Sequence, residues 1–442
     1  MGETKTMKTV IMAGGKGTRI QSIVSDIPKP MLLIDGVPVL EREIIALVSQ
    51  GFKDIIITVS HLGYIIMDYF GNGDVYGANI TYYIEEEPLG NAGALFKIRE
   101  QLTEPFLVLN ADVIFDIDFN RMVEFHYRKG GLVTLFTHPN SHPYDSGLIF
   151  ADYDGSVIKW LTKEDNRPEY YKNRVNAGVH IVDPKVLDLV EIDTDKIGKI
   201  DKTTGEIVKI DLDRQLLKPL SGTRKMFCYD SPEYVKDMGT PERFYTVEKD
   251  FKAGIVESKN LSNKQKAVFL DRDGTINKYV GFLRNLREFE LLDGVASAIK
   301  EINNSGLLCI VITNQPVIAR GEVTYDELEV IHRKMETLLG YAGAYIDGVY
   351  FCPHHPHGGY KDEIPELKVD CTCRKPKPGM ILQAAHDFNI DLSTSFMVGD
   401  SESDIKAGTA AGCKTVLIGK ENFGQDITVS SLEAFVTEYL MN

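Results

Sequence analysis

The sequence predicts an α/β protein made of two doubly wound domains. Two observations indicate this architecture: apolar strands alternate with helical stretches along the first half, and a second alternation starts in the middle of the chain. The length of 442 residues agrees with two such domains. We expect residues 1–250 to form the first domain, residues 251–265 a polar, aperiodic linker, and residues 266–442 the second domain.

The composition is that of a globular protein without a membrane segment. Hydrophobic residues make up 43% and charged residues 26% of the chain, and no apolar run approaches the roughly 20 residues of a membrane span. Residues 1–6 lack the basic and apolar regions of a signal peptide, so we expect a cytoplasmic location. The net charge of −15 argues against a general nucleic-acid binder. We expect small-molecule substrates; the oligomeric state stays open, a homo-oligomer included.

The first half alternates strand and helix from its start. Strands are predicted at 8–13, 54–59, 79–84, 105–110 and 132–137, and helices at 38–50, 61–70, 91–101 and 120–129. This alternation predicts a mainly parallel sheet with helices on both faces.

A glycine-rich loop at residues 13–19 follows the first strand directly. Glycines let the backbone approach an anion closely, and the loop amides, with Lys16 and Arg19, can surround a triphosphate. The spacing fits neither a Walker loop nor a dinucleotide fingerprint, and such a loop can also be only a turn. The candidate phosphate-binding residues here are Gly14, Gly15, Gly17, Thr18 and Arg19.

Other polar positions of the first half suit a nucleotide or a metal. Lys29 is held in an extended segment by flanking prolines, which suits a phosphate as well as solvent. Asp112 follows a strand, where it can cap a turn or bind a metal. Residues 88–94 open a helix with small residues on which a flat base can lie, and residues 176–178 and 235–241 add a polar loop and another isolated aspartate.

The first half resembles the sugar-1-phosphate nucleotidyltransferases, because its motifs occur in the order seen in that family. These motifs are residues 13–19, 28–31, 88–90, 110–112, 176–178 and 237–241. The resemblance implies a Rossmann-like nucleotidyltransferase domain in which Asp112 and Asp237 hold Mg²⁺. Its further assignments are Arg19 and Lys29 at the triphosphate, Gly14, Gly15, Gly17, Thr18 and Gly90 at the nucleotide, and Asn176 at the substrate.

The chemistry agrees with these residue types. A sugar phosphate is already an anionic nucleophile, so its attack on the α-phosphorus needs positioning and charge neutralisation rather than a protein base. Two positions depart from the family pattern. Ala111 stands where glycine is usual, and the Glu-Lys-Pro sugar-binding motif is not intact, with Lys163 as its replacement.

The second half begins with the strand 267–270, which delivers Asp271 and Asp273 into a glycine turn. Alternate side chains of a strand point the same way, so both carboxylates can face one pocket, although a bare D-x-D-G can also simply end a strand. The further predicted strands are 307–314, 346–351 and 395–400, and the helices are 293–304, 324–339 and 379–388.

The second half resembles the haloacid-dehalogenase superfamily of phosphotransferases, because four polar groups occur in the order seen in that family. These groups are Asp271 with Asp273, Thr313 with Asn314, Arg374 with Lys375, and Asp400 with Asp404. The resemblance implies attack on phosphorus by Asp271, with Asp273 as general acid and base.

The same resemblance supplies the other roles. Thr313 and Lys375 bind the phosphoryl oxygens, and Asn314 and Arg374 add substrate contacts. Mg²⁺ is held by Asp271, Asp273 and Asp400. Asp404 is either a metal neighbour or a helix N-terminal residue, and both readings stay open.

A cysteine cluster predicts a structural Zn²⁺ site. Cys352, His354, Cys371 and Cys373 offer three thiolates and one imidazole for tetrahedral coordination, with His355 as an alternative nitrogen donor. His357 is a second alternative. Cys228, Cys309 and Cys413 are most simply core residues. Since Lys375 follows the cluster by two residues, zinc would position it.

The zinc loop resembles that of the D-glycero-D-manno-heptose 1,7-bisphosphate phosphatases, although histidinol-phosphate phosphatases are similar and Pro316-Val317 departs from the usual Ser-Gly. The first half most resembles heptose 1-phosphate guanylyltransferases. The hypothesis is therefore a bifunctional enzyme that uses heptose phosphates and GTP. The alternatives are a nucleotidyltransferase for another sugar fused to a histidinol-phosphate-type or other phosphatase, and a scaffold or sensor without turnover.

Overall fold

The computed structural model describes residues 7–15, 26–189 and 191–441. Its chain divides into two compact units. The first unit takes the described parts of Met1–Thr137, Ile149–Trp160 and Asn176–Asn260. The second takes His138–Leu148, Leu161–Val175 and the described part of Leu261–Asn442.

The elements up to residue 260 begin with a strand and alternate as predicted. The strands are β1 (Thr9–Met12), β2 (Leu33–Ile34), β3 (Val37–Pro38), β4 (Asp54–Val59), β5 (Asn79–Ile84), β6 (Phe106–Asn110), β7 (Val113–Asp116), β8 (Val133–His138), β9 (Leu148–Ala151), β10 (Val157–Leu161), β11 (Val175–Val182), β12 (Met226–Asp230) and β13 (Tyr234–Asp237). The helices are α1 (Val39–Ser49), α2 (Gly63–Phe70), α3 (Gly93–Lys97), α4 (Phe119–Lys129), α5 (Pro241–Lys252) and α6 (Ile255–Ser258).

The centre of the first sheet is parallel, with the strand order β5-β4-β1-β6. Alternate residues feed opposite faces: Ile11 packs into one apolar cluster and Val10 into the other. Beyond β6 the sheet becomes mixed, because β11 pairs antiparallel with it. Since β4 and β6 flank β1 on opposite sides, a topological switch point lies between β1 and β6, where such sheets bind ligands.

The elements after residue 260 form the second alternation. The strands are β14 (Ala267–Leu270), β15 (Leu308–Asn314), β16 (Gly348–Cys352), β17 (Phe396–Gly399), β18 (Lys414–Ile418) and β19 (Ile427–Val429). The helices are α7 (Val295–Asn304), α8 (Tyr325–Tyr341), α9 (Gly379–Asp387), α10 (Glu402–Ala411) and α11 (Leu432–Phe435).

The second sheet is parallel throughout its described ladder, in the order β16-β15-β14-β17-β18-β19. Both faces are buried: Val268 and Phe269 of β14 pack into separate apolar clusters. The switch point lies between β14 and β17. The predicted α/β class with two doubly wound sheets is confirmed.

The sequence assigns residues 138–148 and 161–175 to the first domain. In the structure, both segments belong to the second unit. Their anchor is α8. The Thr337 hydroxyl accepts a hydrogen bond from the Tyr171 amide at 2.8 Å and donates to the Tyr171 carbonyl at 3.0 Å. The Glu336 carboxylate accepts from the Asn173 amide at 2.8 Å. Buried side chains of α8 therefore make hydrogen bonds to backbone groups of a loop that is far away in sequence. Local sequence patterns do not reveal such pairs.

The predicted linker, residues 251–265, differs from the aperiodic connector expected. It contains the end of α5 and the whole of α6, and Val256 is buried in an apolar cluster of the first unit. The apolar side chains of this segment therefore pack into the first unit and do not form an extended connector. Among the described residues, no helix has the length and apolarity needed to cross a membrane.

Candidate active sites

The first candidate site lies at the switch point of the first sheet. Gly14 and Gly15 follow β1, and Asp112 follows the neighbouring strand β6. The Ser60 hydroxyl donates a 2.6 Å hydrogen bond to the Gly14 carbonyl, which fixes the start of the glycine loop. The other predicted loop residues, Gly17, Thr18 and Arg19, lie outside the described residues.

Each predicted metal-binding aspartate of this site is paired with a cation. The Lys29 ammonium contacts the Asp112 carboxylate, and its side chain is only 10% exposed. Arg243 lies 2.8 and 2.7 Å from the two oxygens of Asp237. The antiparallel pairing of β7 with β13 sets Asp237 opposite Val113, so the two aspartates lie on neighbouring strand ends.

The pKa values of two carboxyl groups at this edge shift in opposite directions. Burial raises the pKa of Asp237, but Arg243, the Gly239 amide and Lys29 together outweigh burial and the net shift is downward. Glu43 of α1 is 2% exposed, and burial and then the nearby Asp112 charge raise the pKa of its carboxyl well above the usual range. Oxygen ligands from Asp112 and Asp237 are the type that Mg²⁺ prefers, so the residues fit that ion.

Two glycines of this unit are explained by close packing. Gly90 has a φ of +82°, and a Cβ there would lie 2.3 Å from the Ile210 carbonyl oxygen. Gly178 has a φ of +74°, and a Cβ there would lie 2.5 Å from the Asn110 side-chain nitrogen. Gly90 therefore shapes its turn irrespective of any nucleotide, and its predicted ligand role stays a prediction.

The predicted substrate residues Asn176 and Lys163 lie in different units of the structure. The Asn176 amide group lies 3.4 and 3.5 Å from the carboxylate oxygens of Asp213, and burial raises the pKa of Asp213 to about 6. Lys163 is exposed in a turn of the segment 161–175, which groups with the second unit. Its role in sugar binding stays a prediction.

The second candidate site lies at the switch point of the second sheet. Asp271 follows β14, Asp400 follows β17, and Thr313 lies near the end of β15. Gly274 lets these strand ends meet, since a Cβ at its φ of +90° would lie 2.0 Å from an Asp400 oxygen. The carboxyl ends of three neighbouring parallel strands thus bring together side chains far apart in sequence.

A buried lysine joins two carboxylates in this site. The Lys375 Nζ atom lies 2.7 Å from Asp271 Oδ1 and 2.6 Å from Asp404 Oδ1, and it donates to the Ile312 carbonyl at 2.8 Å. Lys375 is 3% and Asp404 0% exposed. Burial opposes the charge of Lys375, but Asp271 and Asp404 raise its pKa overall. Asp404 also caps α10 through Ser401, as one of its two sequence readings expected.

Excess negative charge in this site suits a divalent cation. Burial raises the pKa of Asp271 to about 7 and that of Asp400 to about 6, and in each case Asp404 reinforces the effect. Carboxylate oxygens of Asp271, Asp400 and Asp404 lie within 4.8 Å of one another. Their chemistry fits Mg²⁺. Asp273 was predicted as a further ligand, but its side-chain oxygens are not in this group.

The Asp273 carboxylate is instead fixed by three donors. Arg272 Nη2 lies 2.8 Å from Oδ2, Gln315 Nε2 donates to Oδ2 at 3.0 Å, and Asn277 Nδ2 donates to Oδ1 at 3.0 Å. Arg272 has no exposed surface and lies 3.3 Å from His332 Nε2. The candidate general acid and base is thus held by side chains that are themselves buried.

Two predicted substrate residues have other contacts. The Asn314 side chain accepts from the Lys375 amide and donates to the Lys375 carbonyl, both at 3.0 Å. It therefore clamps the lysine backbone rather than presenting its amide to a phosphate. Arg374 donates to the His354 carbonyl at 3.3 Å, which ties it to the cysteine cluster.

The four predicted zinc ligands come together. The sulfur atoms of Cys352, Cys371 and Cys373 lie 3.1 to 3.5 Å apart, and His354 Nδ1 lies 3.6 Å from Cys352 and 3.4 Å from Cys373. A tetrahedral zinc–thiolate site has ligand separations of roughly 3.8 Å, so this compact set fits the ion. The alternative donor His355 contacts Arg320 at 3.2 Å instead.

Several candidate functional residues were not identified from the sequence. Gln315 links Asp273 to the Thr313 hydroxyl, to which it donates at 2.9 Å. Arg243 and Glu43 lie beside the aspartates of the first site. Arg243 stands six residues after Asp237, in the first turns of the following helix, and this spacing was an available signal.

Comparison with known proteins matches both parts of the chain. A family model described as Nucleotidyl transferase matches residues 8–254, and one described as HAD-hydrolase-like matches residues 372–440. The D-glycero-beta-D-manno-heptose-1,7-bisphosphate 7-phosphatase of Yersinia pestis is 41% identical over 158 residues, 36% of this chain and 82% of that protein. The D-glycero-alpha-D-manno-heptose-1,7-bisphosphate 7-phosphatase of Burkholderia mallei is 46% identical over 155 residues, 35% of this chain and 80% of that protein.

One solved structure, HddC from Yersinia pseudotuberculosis, aligns over 55% of this chain and 99% of its own length. Its sequence identity is 25% and its TM-score 0.46.

Proposed function

Because the chain belongs to the nucleotidyl transferase family over residues 8–254 and also to the family of the heptose-1,7-bisphosphate 7-phosphatases, we propose that it is a bifunctional enzyme of heptose activation. It removes the C7 phosphate of D-glycero-D-manno-heptose 1,7-bisphosphate. It then transfers GMP from GTP to the resulting heptose 1-phosphate, giving GDP-heptose and pyrophosphate. The single observation that carries the proposal is the buried Asp271–Lys375 pair at the switch point, in a chain that also belongs to the nucleotidyl transferases.

The phosphatase step starts at Asp271. Its carboxylate attacks the C7 phosphorus, the bond from phosphorus to O7 breaks, and Asp273 gives a proton to the departing O7. Water then attacks the aspartyl-phosphate while Asp273 takes up its proton, which releases phosphate and restores Asp271. Lys375 lies beside the nucleophile Asp271, and Thr313 is linked to the general acid Asp273 through Gln315. In this proposal both residues hold the phosphoryl oxygens.

Mg²⁺ in the second site would be held by Asp271 and Asp400, and it would screen the negative phosphoryl group from the attacking carboxylate. The protein residues supply the remaining organisation. Asp404 keeps Lys375 beside Asp271, and Asn314 holds the lysine backbone. Gln315 spans Thr313 and Asp273, so the phosphate-binding hydroxyl and the proton donor keep a fixed separation.

In the nucleotidyl transfer step, an oxygen of the sugar 1-phosphate attacks the α-phosphorus of GTP and pyrophosphate leaves. The nucleophile is already ionised, so no protein base is needed. Asp112 and Asp237 would hold Mg²⁺ here, which would neutralise the triphosphate. Lys29 contacts Asp112 and adds a cation to the same strand edge.

Zn²⁺ is proposed for Cys352, His354, Cys371 and Cys373, where it would have a structural role. The cluster lies directly before Lys375, and Arg374 donates to its His354 carbonyl. A bound ion would therefore fix the loop that delivers the catalytic lysine. The cytoplasmic location and the oligomeric state stay predictions.

The pairing of halves favours heptose over the alternatives, since the phosphatase product is the acceptor that such a transferase consumes. The test is to incubate the purified chain with heptose 1,7-bisphosphate, Mg²⁺ and GTP and to follow phosphate and product masses together. Both anomers are supplied, because the two relatives differ in the anomer they name. Phosphate with GDP-heptose supports the proposal. Release from histidinol phosphate but not from heptose 1,7-bisphosphate contradicts it, and so does the absence of both products.

A further inference from the structure

His332 of α8 lies beside the second site and has no part in the chemistry described above. The side chain is 4% exposed, and its ring centroid lies 5.8 Å from that of Phe351. The pairing of β16 with β15 sets Phe351 next to Thr313, one of the predicted phosphate-binding residues. The imidazole is therefore buried beside the strand ends that carry the site.

The contact that links His332 to the site runs through Arg272. This guanidinium has no exposed surface, and two of its nitrogens face Asp273: Nη2 lies 2.8 Å from Oδ2, and Nε lies 3.2 Å from Oδ1. Its third nitrogen, Nη1, donates to Nε2 of His332 at 3.3 Å. Because the guanidinium is planar and rigid, a partner for Nη1 on one side fixes the direction of the other two nitrogens.

His332 can take this role because it is a neutral acceptor. Arginine stays protonated in proteins, so Nε2 of the imidazole accepts and the ring proton lies on Nδ1. Burial lowers the pKa of His332 well below its ordinary value of 6.5, and the charges of Arg272 and Lys172 lower it further. The ring is therefore uncharged at neutral pH, and its acceptor nitrogen remains available to the guanidinium.

A neutral acceptor leaves the charge of Arg272 to one carboxylate. In the part of the chain that the structure describes, Asp273 is the one carboxylate within ion-pair distance of that guanidinium. Glu336 lies one helical turn beyond His332, but its carboxylate accepts from the Asn173 amide. An acidic side chain at position 332 would compete with Asp273, and an apolar one would leave a buried donor without an acceptor.

The orientation of Asp273 matters for both steps of phosphate release. The same carboxyl group gives a proton to O7 and later takes one from water, so it must face the reacting oxygen. Gln315 and Asn277 also hold it, but both are uncharged amides, and Arg272 supplies the charged contact. A displacement of about 1 Å in such a group can lower the rate by about 100-fold.

We propose that His332 is a positioning residue of the phosphatase reaction: it holds the Arg272 guanidinium in the plane that directs the Asp273 carboxyl group toward the leaving oxygen. This inference rests on the proposed phosphatase step and deepens it. His332 exchanges no proton with the substrate and acts through Arg272.

The test uses the full chain with heptose 1,7-bisphosphate and Mg²⁺, and it follows steady-state phosphate release. His332→Leu keeps apolar bulk but removes the acceptor. His332→Gln restores an acceptor, since its amide oxygen can reach the position of Nε2. The control is Thr337→Val on the same helix, which removes buried hydrogen bonds to Tyr171 and leaves the contact with Arg272 in place.

We expect His332→Leu to lower kcat by about 10- to 100-fold and to change KM by less than about threefold, because substrate contacts are untouched. His332→Gln should recover kcat to within about fivefold of the wild type. Thr337→Val should lower the melting temperature but keep the wild-type kcat. A role of His332 in stability alone predicts instead that His332→Leu and Thr337→Val behave alike when both are assayed well below their melting temperatures.

The outcomes separate this inference from the proposed function. If the wild type releases no phosphate from heptose 1,7-bisphosphate, the phosphatase step fails and the role of His332 fails with it. If the wild type is active and His332→Leu keeps its kcat, the role of His332 is wrong and the phosphatase step stands. A kcat in His332→Gln as low as in His332→Leu also overturns the role.

A second variant covers the case in which His332→Leu does not fold. His332→Asn takes its place, because the shorter amide leaves Nη1 of Arg272 out of reach. A wild-type kcat in His332→Asn overturns the inference, and a loss of about tenfold or more at unchanged KM supports it.

Discussion

The Nζ atom of Lys375 lies 2.6 Å from a carboxylate oxygen of Asp404, in the interior of the second unit. The other oxygen of Asp404 accepts a 2.6 Å hydrogen bond from the Ser401 hydroxyl, so the carboxylate is fixed from both sides. The lysine is thereby held beside Asp271 before any substrate arrives.

Replacing Asp404 by Asn should lower kcat for phosphate release by about 10- to 100-fold, because an amide cannot balance the buried ammonium that binds the phosphoryl group. KM should change less. Steady-state phosphate release measures both. Glu402→Gln is the matched control, since Glu402 lies exposed in the first turn of the same helix and pairs with Lys406. A wild-type kcat in Asp404→Asn would contradict the positioning role.

Replacing Asp271 by Asn should abolish phosphate release while leaving GMP transfer to heptose 1-phosphate within about twofold of the wild type. The amide is no nucleophile, and the residues of the first site are untouched. Asp112→Asn is the reciprocal variant and should lose transfer while keeping phosphatase activity. Product masses from both substrates follow the two reactions. Loss of both activities in either single variant would show that the sites do not act independently.

Purified protein should contain about one zinc per chain by elemental analysis. Cys371→Ser should lose most of this zinc and lower phosphatase kcat by about tenfold or more, because the loop before Lys375 loses its cross-link. GMP transfer should persist. Cys413→Ala serves as the control, since Cys413 lies outside the four-ligand group. Unchanged phosphate release after verified loss of zinc would refute the structural role of the ion.

Stability should depend on pH through Glu336. Burial raises the pKa of its carboxyl to about 7 from an ordinary value of 4.5, against the opposing effects of Lys172 and the Asn173 amide. The folded chain therefore prefers the protonated form, and this contribution is complete below pH 4.5 and is lost as the pH rises to about 7. Glu336→Gln should gain on the wild type by on the order of 3 kcal/mol across that window.

Urea unfolding followed by circular dichroism at several pH values tests this dependence. The control is Glu402→Gln, an exposed carboxylate on α10 that pairs with Lys406 and is not among the charges that shift the pKa of Glu336. Its difference from the wild type should stay flat. A pH-independent difference for Glu336→Gln would contradict the proposed protonation of the buried carboxyl.

Strand ends were predictable, whereas the directions of side chains beyond them were not. Asp271 and Asp400 could be placed because apolar runs locate the strands and parallel strands share a carboxyl edge. The link from Asp273 to Gln315 joins positions 42 residues apart, and that from Asn314 to Lys375 joins positions 61 apart. Such pairs depend on how loops close in three dimensions. Local periodicity carries no information about them.

The same limit explains the membership of residues 138–148 and 161–175. Both segments lie within a motif series that belongs to the first domain, yet the backbone of Tyr171 and Asn173 in the second segment bonds to Thr337 and Glu336 of α8. One buried carboxyl and one buried hydroxyl thus hold residues 161–175 against α8. Neither residue stands out in the amphipathic pattern of its helix.

This membership has a consequence for synthesis of the chain. Tyr171 and its partner Thr337 are separated by 166 residues. At a typical elongation rate, the ribosome needs roughly 10 to 30 s to add that length. Throughout this interval the segment 161–175 exists without α8, whose side chains bond to its backbone amide and carbonyl groups. The second unit can therefore be completed only after translation has passed α8, when an early part of the polypeptide returns to a late one.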